Sequence, residues 1–151
     1  MKNNLLEKLR CPKTGQRLTL NTPDSIADDI ETGWLVSIDG QCRYPIRDGI
    51  PRFVPEENYT EKNFGMQWNH FSRTQLDSHS GHPITADRFW AATGWRPEDM
   101  KGQWLLDVGC GSGRFAEVAL NAGAIVVALD YSSAVDACYT NLKHHPNLHV
   151  V

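Results

Sequence analysis

The stretch Leu105-Leu106-Asp107-Val108-Gly109-Cys110-Gly111-Ser112-Gly113 constrains the fold more than any other part of this sequence. A short apolar strand, Trp104 to Val108, runs into a loop with glycine at every second position. Arg114 to Asn121 follows with Phe115, Val118 and Ala119 on one helical face, and Gly123 ends that helix. Ala124 to Leu129 is a continuous apolar run, the pattern of a strand covered on both faces. Asp130 closes it, Ser133 to Leu142 repeats the helical pattern, and Leu148 to Val151 opens a third strand. The order β-α-β-α-β commits residues 104–151 to an α/β fold with a parallel sheet and right-handed crossovers.

The residues ahead of this region read differently. Residues 1–54 form a small β-rich, ribbon-like module. Leu5, Leu6 and Leu9 give an opening helical turn, and Cys11-Pro12-Lys13-Thr14-Gly15 is a turn cluster. Arg17 to Leu20 alternates like a half-buried strand, Thr22 to Thr32 is a polar loop, and Gly33 to Ile38 is a second strand closed by a tight turn at Asp39-Gly40. Tyr44-Pro45-Ile46 leads to another turn at Asp48-Gly49. So short a module has a thin core, and Trp34, Tyr44, Ile46 and Ile50 are the residues expected to hold it. Residues 55–103 are a linker and helical segment. Phe64, Trp68 and Phe71 suggest an amphipathic helix, Ser78 to Pro83 a loop, and Thr85 to Thr93 a helix with Thr85 as N-cap, Phe89 and Trp90 on its apolar side and Gly94 at its end.

Bulk properties exclude several classes. The chain of 151 residues carries a net charge of −3, which argues against a nucleic-acid surface. No apolar run approaches the roughly 20 residues that cross a bilayer, and the N-terminus lacks a secretory pattern, so a cytoplasmic protein without a membrane partner is expected. The four cysteines form no C-x-x-C pair and are expected as free thiols. Histidines His79, His82, His144 and His145 and the charge of Arg114 are expected at solvated surface.

The glycine loop and the acids around it carry chemistry. A loop between a strand and a helix N-terminus aims N–H groups and the positive end of the helix dipole at a ligand. Glycine lets the backbone approach that ligand closely. A carboxylate at Asp130, on the neighbouring strand end, suits a ribose diol. The pair reads as a site for an adenosine-containing cofactor. A dinucleotide fingerprint needs G-x-G-x-x-G; here the spacing is G-x-G-x-G, with Arg114 where the third glycine would fall. Asp107, just ahead of the loop, would repel a pyrophosphate and attract a cationic group. S-adenosylmethionine (SAM), with its sulfonium and ammonium, fits that charge pattern.

Leu105 to Gly113 resembles the first motif of the class I SAM-dependent methyltransferases, and Ala128-Leu129-Asp130-Tyr131-Ser132 resembles their acidic second motif. The resemblance implies a Rossmann-like domain of which residues 104–151 are the N-terminal half, with further strands building the acceptor site. Such a chain is incomplete and inactive alone, and no catalytic residue is assigned. Carried over by position, Asp107, Gly109 and Gly111 line the amino-acid end of SAM, Asp130 binds the ribose and Tyr131 lies near the adenine. Asn63 to Trp68 resembles a stretch ahead of the first motif in ribbon-fused members, where Gln67 or Trp68 would touch the cofactor; a helix packing its aromatics on the sheet is the alternative.

Cys11-Pro12-Lys13-Thr14-Gly15 and Tyr44 to Pro51 resemble the zinc-ribbon-like proteins that act as methyltransferase partners, and the matching modules fused to some methyltransferases. That family shows C-x-x-C twice. Here Thr14 takes the second place of the first pair, Ser37 and Gly40 fall at the second pair, and Cys42 is out of register, so no metal is expected. Two functions follow. One is SAM-dependent methyl transfer to a small-molecule acceptor. The other is a non-catalytic module that binds a protein, such as a methyltransferase. The sheet edge left after the third strand offers a surface for self-association.

Overall fold

A computed structural model describes residues 1–22, 29–55 and 68–151, which fall into two compact units, Met1–Pro55 and Glu56–Val150. The expected linker at Glu56 to Asn58, and Asn63 to Gln67 with Phe64, lie outside the described residues, as do residues 23–28 of the polar loop.

The first unit begins with α1 (Asn3–Leu6) and is built on a four-stranded antiparallel sheet in the order β1 (Leu18–Asn21), β2 (Gly33–Ser37), β3 (Arg43–Arg47), β4 (Ile50–Pro51). Asp48 and Gly49 are both in the left-handed region, φ 51° and 75°, and join β3 to β4 as a two-residue hairpin of the kind whose twist matches the strands. The turn at Asp39-Gly40 is looser than expected. Ile38 to Cys42 forms a five-residue connection, because the Asp39 carboxylate accepts the Ser37 hydroxyl and the Gln41 N–H while Ser37 Oγ accepts the Cys42 N–H. Those side-chain bonds replace ladder bonds that a tight turn would have kept.

Leu5, Leu18, Ile30, Leu35, Tyr44, Ile46 and Ile50 make the core of this unit. Trp34, expected there, is 42% exposed. Strand alternation puts Leu35 and Ser37 inward and Trp34 outward, where the guanidinium of Arg43 on the adjacent strand lies 4.9 Å from its ring centre. Cys11 is buried and its Sγ lies 3.3 Å from the Tyr44 hydroxyl. Burial opposes ionisation of this thiol, but hydrogen bonds from Thr14, Tyr44 and the backbone of Lys13 and Thr14 outweigh it and bring its pKa down to about 6. Tyr44 is pushed up, by burial first and then by its hydrogen bonds to Cys11 and Cys42.

The second unit contains the α/β region. Trp68 to His70 are helical, and α2 (Asp77–Ser80) and α3 (Ile84–Thr93) precede a three-stranded parallel sheet in the order β5 (Trp104–Val108), β6 (Ile125–Leu129), β7 (Leu148–Val150). Helices α4 (Arg114–Asn121) and α5 (Ala134–Leu142) connect the strands. The core comprises Ala116, Val118, Ala119 and Leu120 of α4, Val126 and Ala128 of β6, Ala134, Val135, Cys138 and Leu142 of α5, and Leu148 and Val150 of β7.

Several local expectations change. Phe71 is exposed. Ser78 belongs to the one-turn helix α2 and not to a loop. Thr85 lies inside α3, buried, with Pro83 at the N-cap. The cap is supplied from a distance: Asp77 accepts the N–H groups of Thr85 and Ala86 at 2.9 and 2.8 Å, and the Thr85 hydroxyl donates to Gln75 O. Gly94 does end α3, in the left-handed region. Phe115 is only half-buried. Strand β5 is the exposed member of the sheet: Trp104, Leu106 and Val108, alternate residues on one face, are 42%, 60% and 68% exposed. On β7, His149 is buried and stacks on Trp104 at 5.4 Å, an arrangement that no periodicity signals.

A Cβ at Gly113, φ 95°, would sit 2.7 Å from Leu142 Cδ1 and 2.9 Å from Cys138 Sγ, whereas Gly81, φ 72°, has open space around it. Gly113→Ala is therefore expected to cost about 2–4 kcal/mol, combining overpacking with backbone strain. Gly81→Ala is expected to cost about 1 kcal/mol from backbone strain alone. Urea denaturation of the two variants checks the difference. In the first unit, Tyr44→Phe removes a donor to the Cys11 thiolate, so the ultraviolet thiolate transition of Cys11 is expected to move to higher pH. A folded pKa below the unfolded one stabilises above it, so the same variant should lose stability at alkaline pH and keep it below the pH where Cys11 is protonated.

Candidate functional site

Gly109, Gly111 and Gly113 all adopt positive φ, 78°, 54° and 95°, which turns the chain sharply from β5 into α4. The loop is tied down by its own amides. Gly109 and Cys110 donate to Leu129 O at 2.8 and 3.0 Å, Gly111 donates to Asp130 Oδ2 at 2.9 Å, and Gly113 donates to Cys110 O at 2.9 Å. The expectation of free N–H groups aimed at a ligand is thus corrected at these four positions: their donors are used within the fold. What the glycines leave is space. Trp68 covers Gly111, with its ring 3.7 Å from where a Cβ would stand.

Asp130 stands at the end of β6. Its Oδ1 accepts the Ser132 N–H and hydroxyl, both at 2.8 Å, and its Oδ2 accepts Gly111 N–H. A carboxylate offers about four acceptor sites, so Oδ2 retains one for a ligand hydroxyl. A second hydroxyl of a diol would share Oδ1 with Ser132. A hollow of about 220 Å³ opens here, floored by Asp130 and loop residues Gly109 to Ser112 and walled by Trp68, Gln75, Arg114 and Phe115.

Asp107 faces a second hollow of about 210 Å³, between Phe89, Trp95, Leu105, Leu106 and Phe115, the last of which borders both. Its Oδ2 is buried and has no hydrogen-bond partner. Burial raises the pKa of this carboxyl, the Ala116 N–H and the Arg114 charge lower it, Asp130 raises it, and the net direction is upward. The predicted residues are therefore distributed: Gly109, Gly111 and Asp130 share one hollow, Asp107 lines its neighbour, and Tyr131 is 57% exposed and lines neither.

Ser112 and Arg114 are among the residues of the first hollow that sequence reasoning did not single out as ligand contacts. Ser112 is buried with an unpartnered Oγ. Arg114, expected as a solvated charge, is half-buried, with its guanidinium carbon 4.4 Å from the centre of the Phe115 ring. Its signal in the sequence was its place directly after the third glycine, at the first position of a helix.

A larger cavity of about 560 Å³ lies elsewhere, beside α2, α3 and α4. Glu117 in its wall is 3% exposed, and its carboxylate accepts Asp77 N–H at 3.0 Å and the Ser78 hydroxyl. Glu117 thereby caps α2, as Asp77 caps α3, and these acids are committed to structure. Among the described residues no group of three or more His, Cys, Asp or Glu could hold a metal ion, and no helix is long and apolar enough to cross a membrane.

Residues 106–151 match a family model described as a methyltransferase domain. A UPF0434 protein of Bartonella henselae is 36% identical over 63 residues, which are 42% of this chain and 85% of that protein. A UPF0434 protein of Allorhizobium ampelinum is 45% identical over 53 residues, 35% of this chain and 73% of that protein. The glycine loop and strand-end acid fall within the first match. The chain belongs to the UPF0434 family, and its residues 106–151 match a methyltransferase domain.

Proposed function

We propose that this chain is the cofactor-binding part of a SAM-dependent methyltransferase that acts on a small-molecule acceptor, and that Asp107, Gly109, Gly111, Asp130 and Tyr131 form its SAM site. The observation that carries this reading is the buried, unpartnered Oδ2 of Asp107 beside a loop whose glycine amides are already bonded. A pyrophosphate needs free amide donors at such a loop. An ammonium needs an acceptor, and an orphaned carboxylate oxygen is costly unless something cationic satisfies it.

SAM, when bound, supplies an electrophilic methyl group on its sulfonium. The chain's own residues would do the rest of what is described here. Asp107 would hold the ammonium, Gly109 and Gly111 would admit the amino-acid end, and Asp130 would bind a ribose hydroxyl through its remaining acceptor site while keeping the loop in place. The hollow of about 220 Å³ is bounded by Trp68, whose ring lies over Gly111. Methyl transfer then depends chiefly on orienting an acceptor toward this site.

A second reading has support from the first unit. The matched 63 residues are 85% of one relative, so a stretch of this length makes up most of that protein. In this reading the module docks on a protein and the α/β unit is a scaffold.

Calorimetric titration with S-adenosylhomocysteine separates the two. Saturable binding is expected, weakened ten-fold or more by Asp130→Ala, as loss of a charge-assisted hydrogen bond and of the loop tether requires. Absence of binding to the unsubstituted chain would favour the scaffold reading. Affinity is also expected to fall as pH drops through the raised carboxyl range of Asp107, because the protonated acid no longer attracts the ammonium. Asp107→Asn should bind more weakly at neutral pH and lose that dependence.

A further inference from the structure

The four cysteines fall two to each unit: Cys11 and Cys42 in the first, Cys110 and Cys138 in the second. The second pair is built to stay inert. Both thiols are buried and hydrogen-bond to each other; that bond first, and burial next, push Cys110 upward, so it remains a neutral thiol. The first pair is built otherwise. Burial of Cys11 opposes the thiolate, but four donors converge on its sulfur: the Thr14 and Tyr44 hydroxyls and the N–H groups of Lys13 and Thr14. So many donors on one sulfur suit an anion and not a thiol, which has a proton of its own to place. The phenol oxygen of Tyr44 lies 3.3 Å from Cys11 Sγ and also hydrogen-bonds Cys42, so one hydroxyl joins two sulfurs. Cys42 is half-buried and is the member that solvent reaches. An accessible thiol beside a buried thiolate divides the two tasks of an oxidisable pair, meeting the oxidant and resolving the product.

We propose that Cys11 and Cys42 are a thiol modification site that hydrogen peroxide converts to a disulfide within the first unit. The Cys42 sulfur attacks one peroxide oxygen, the O–O bond breaks, and the thiol proton leaves with the released hydroxide as water. Cys42 is then a sulfenic acid. The Cys11 thiolate attacks the Cys42 sulfur, the S–S bond forms as the S–O bond breaks, and the departing hydroxide takes up a solvent proton to give a second water. The two sulfurs give up two electrons and the peroxide takes them. Tyr44 exchanges two thiol partners for one disulfide, so oxidation is felt at a core residue that packs against Phe53 with 4.8 Å between ring centres.

To test this, the reduced full chain is treated with hydrogen peroxide at neutral pH, free thiols are alkylated after denaturation, and the cysteines are mapped by peptide mass spectrometry. The expected product links Cys11 to Cys42 within one chain, returns to thiols with dithiothreitol, and leaves Cys110 and Cys138 alkylated. Cys11→Ser is expected to leave Cys42 as a sulfenic acid that dimedone traps, and Cys42→Ser to leave Cys11 reduced at the same peroxide dose. The unsubstituted chain decides the matter even where a variant fails to fold. Oxidation falling first on Cys110 or Cys138, a link between the Cys42 residues of two chains, or Cys42 carried on to sulfinic acid while Cys11 stays free would each overturn the proposal, as would four thiols left unoxidised.

Discussion

The carboxylate of Asp130 holds the second unit's functional end together. It sits at the end of the central strand β6, yet it takes the N–H of Gly111 from the loop that follows β5, and the N–H and hydroxyl of Ser132 ahead of α5. Ser132 Oγ passes the connection on by accepting Ala134 N–H. One acid therefore couples two strand ends and the start of a helix. The amides of the loop's three left-handed glycines find partners at Leu129, Asp130 and Cys110 and not in solvent. Any ligand role for Asp130 is added to this structural one.

Buried and half-buried acids are treated in two ways in this unit. Glu117 and Asp77 are fully engaged in capping helix starts, where backbone N–H groups and the helix dipole balance their charge. Asp107 is not. It has the Ala116 N–H on one side and nothing on Oδ2. The contrast between satisfied and unsatisfied acids within one unit distinguishes a carboxylate that builds the fold from one that awaits a partner.

Much of the α/β region was legible because its elements are short and strongly patterned. The apolar runs of β5 and β6, the glycine at the end of α3 and the start of β7 follow from periodicity and turn chemistry. What escaped were interactions that join residues distant in sequence. Capping of α3 by Asp77 in place of Thr85 depends on a carboxylate eight residues away. The use of the loop amides by Leu129 and Asp130 depends on the parallel register of β5 on β6. Trp34 was misplaced because aromatic size suggests the core, while its strand position puts it outside. At the site, residue types marked Asp107, Asp130 and the glycines, but not that Phe115 would divide the region and carry Arg114 on its face.

The crowding around Gly113 bears on how such a sequence changes over generations. Its lack of a side chain answers to Leu142 and Cys138 in the helix behind it, and to the turn itself, whatever lies in front of the loop. A lineage that gave up the ligand would be free to replace Asp107 but would still be obliged to keep the third glycine. Among diverged descendants, retention of that glycine records ancestry of the fold, and it is the fate of the acid that records whether binding persisted.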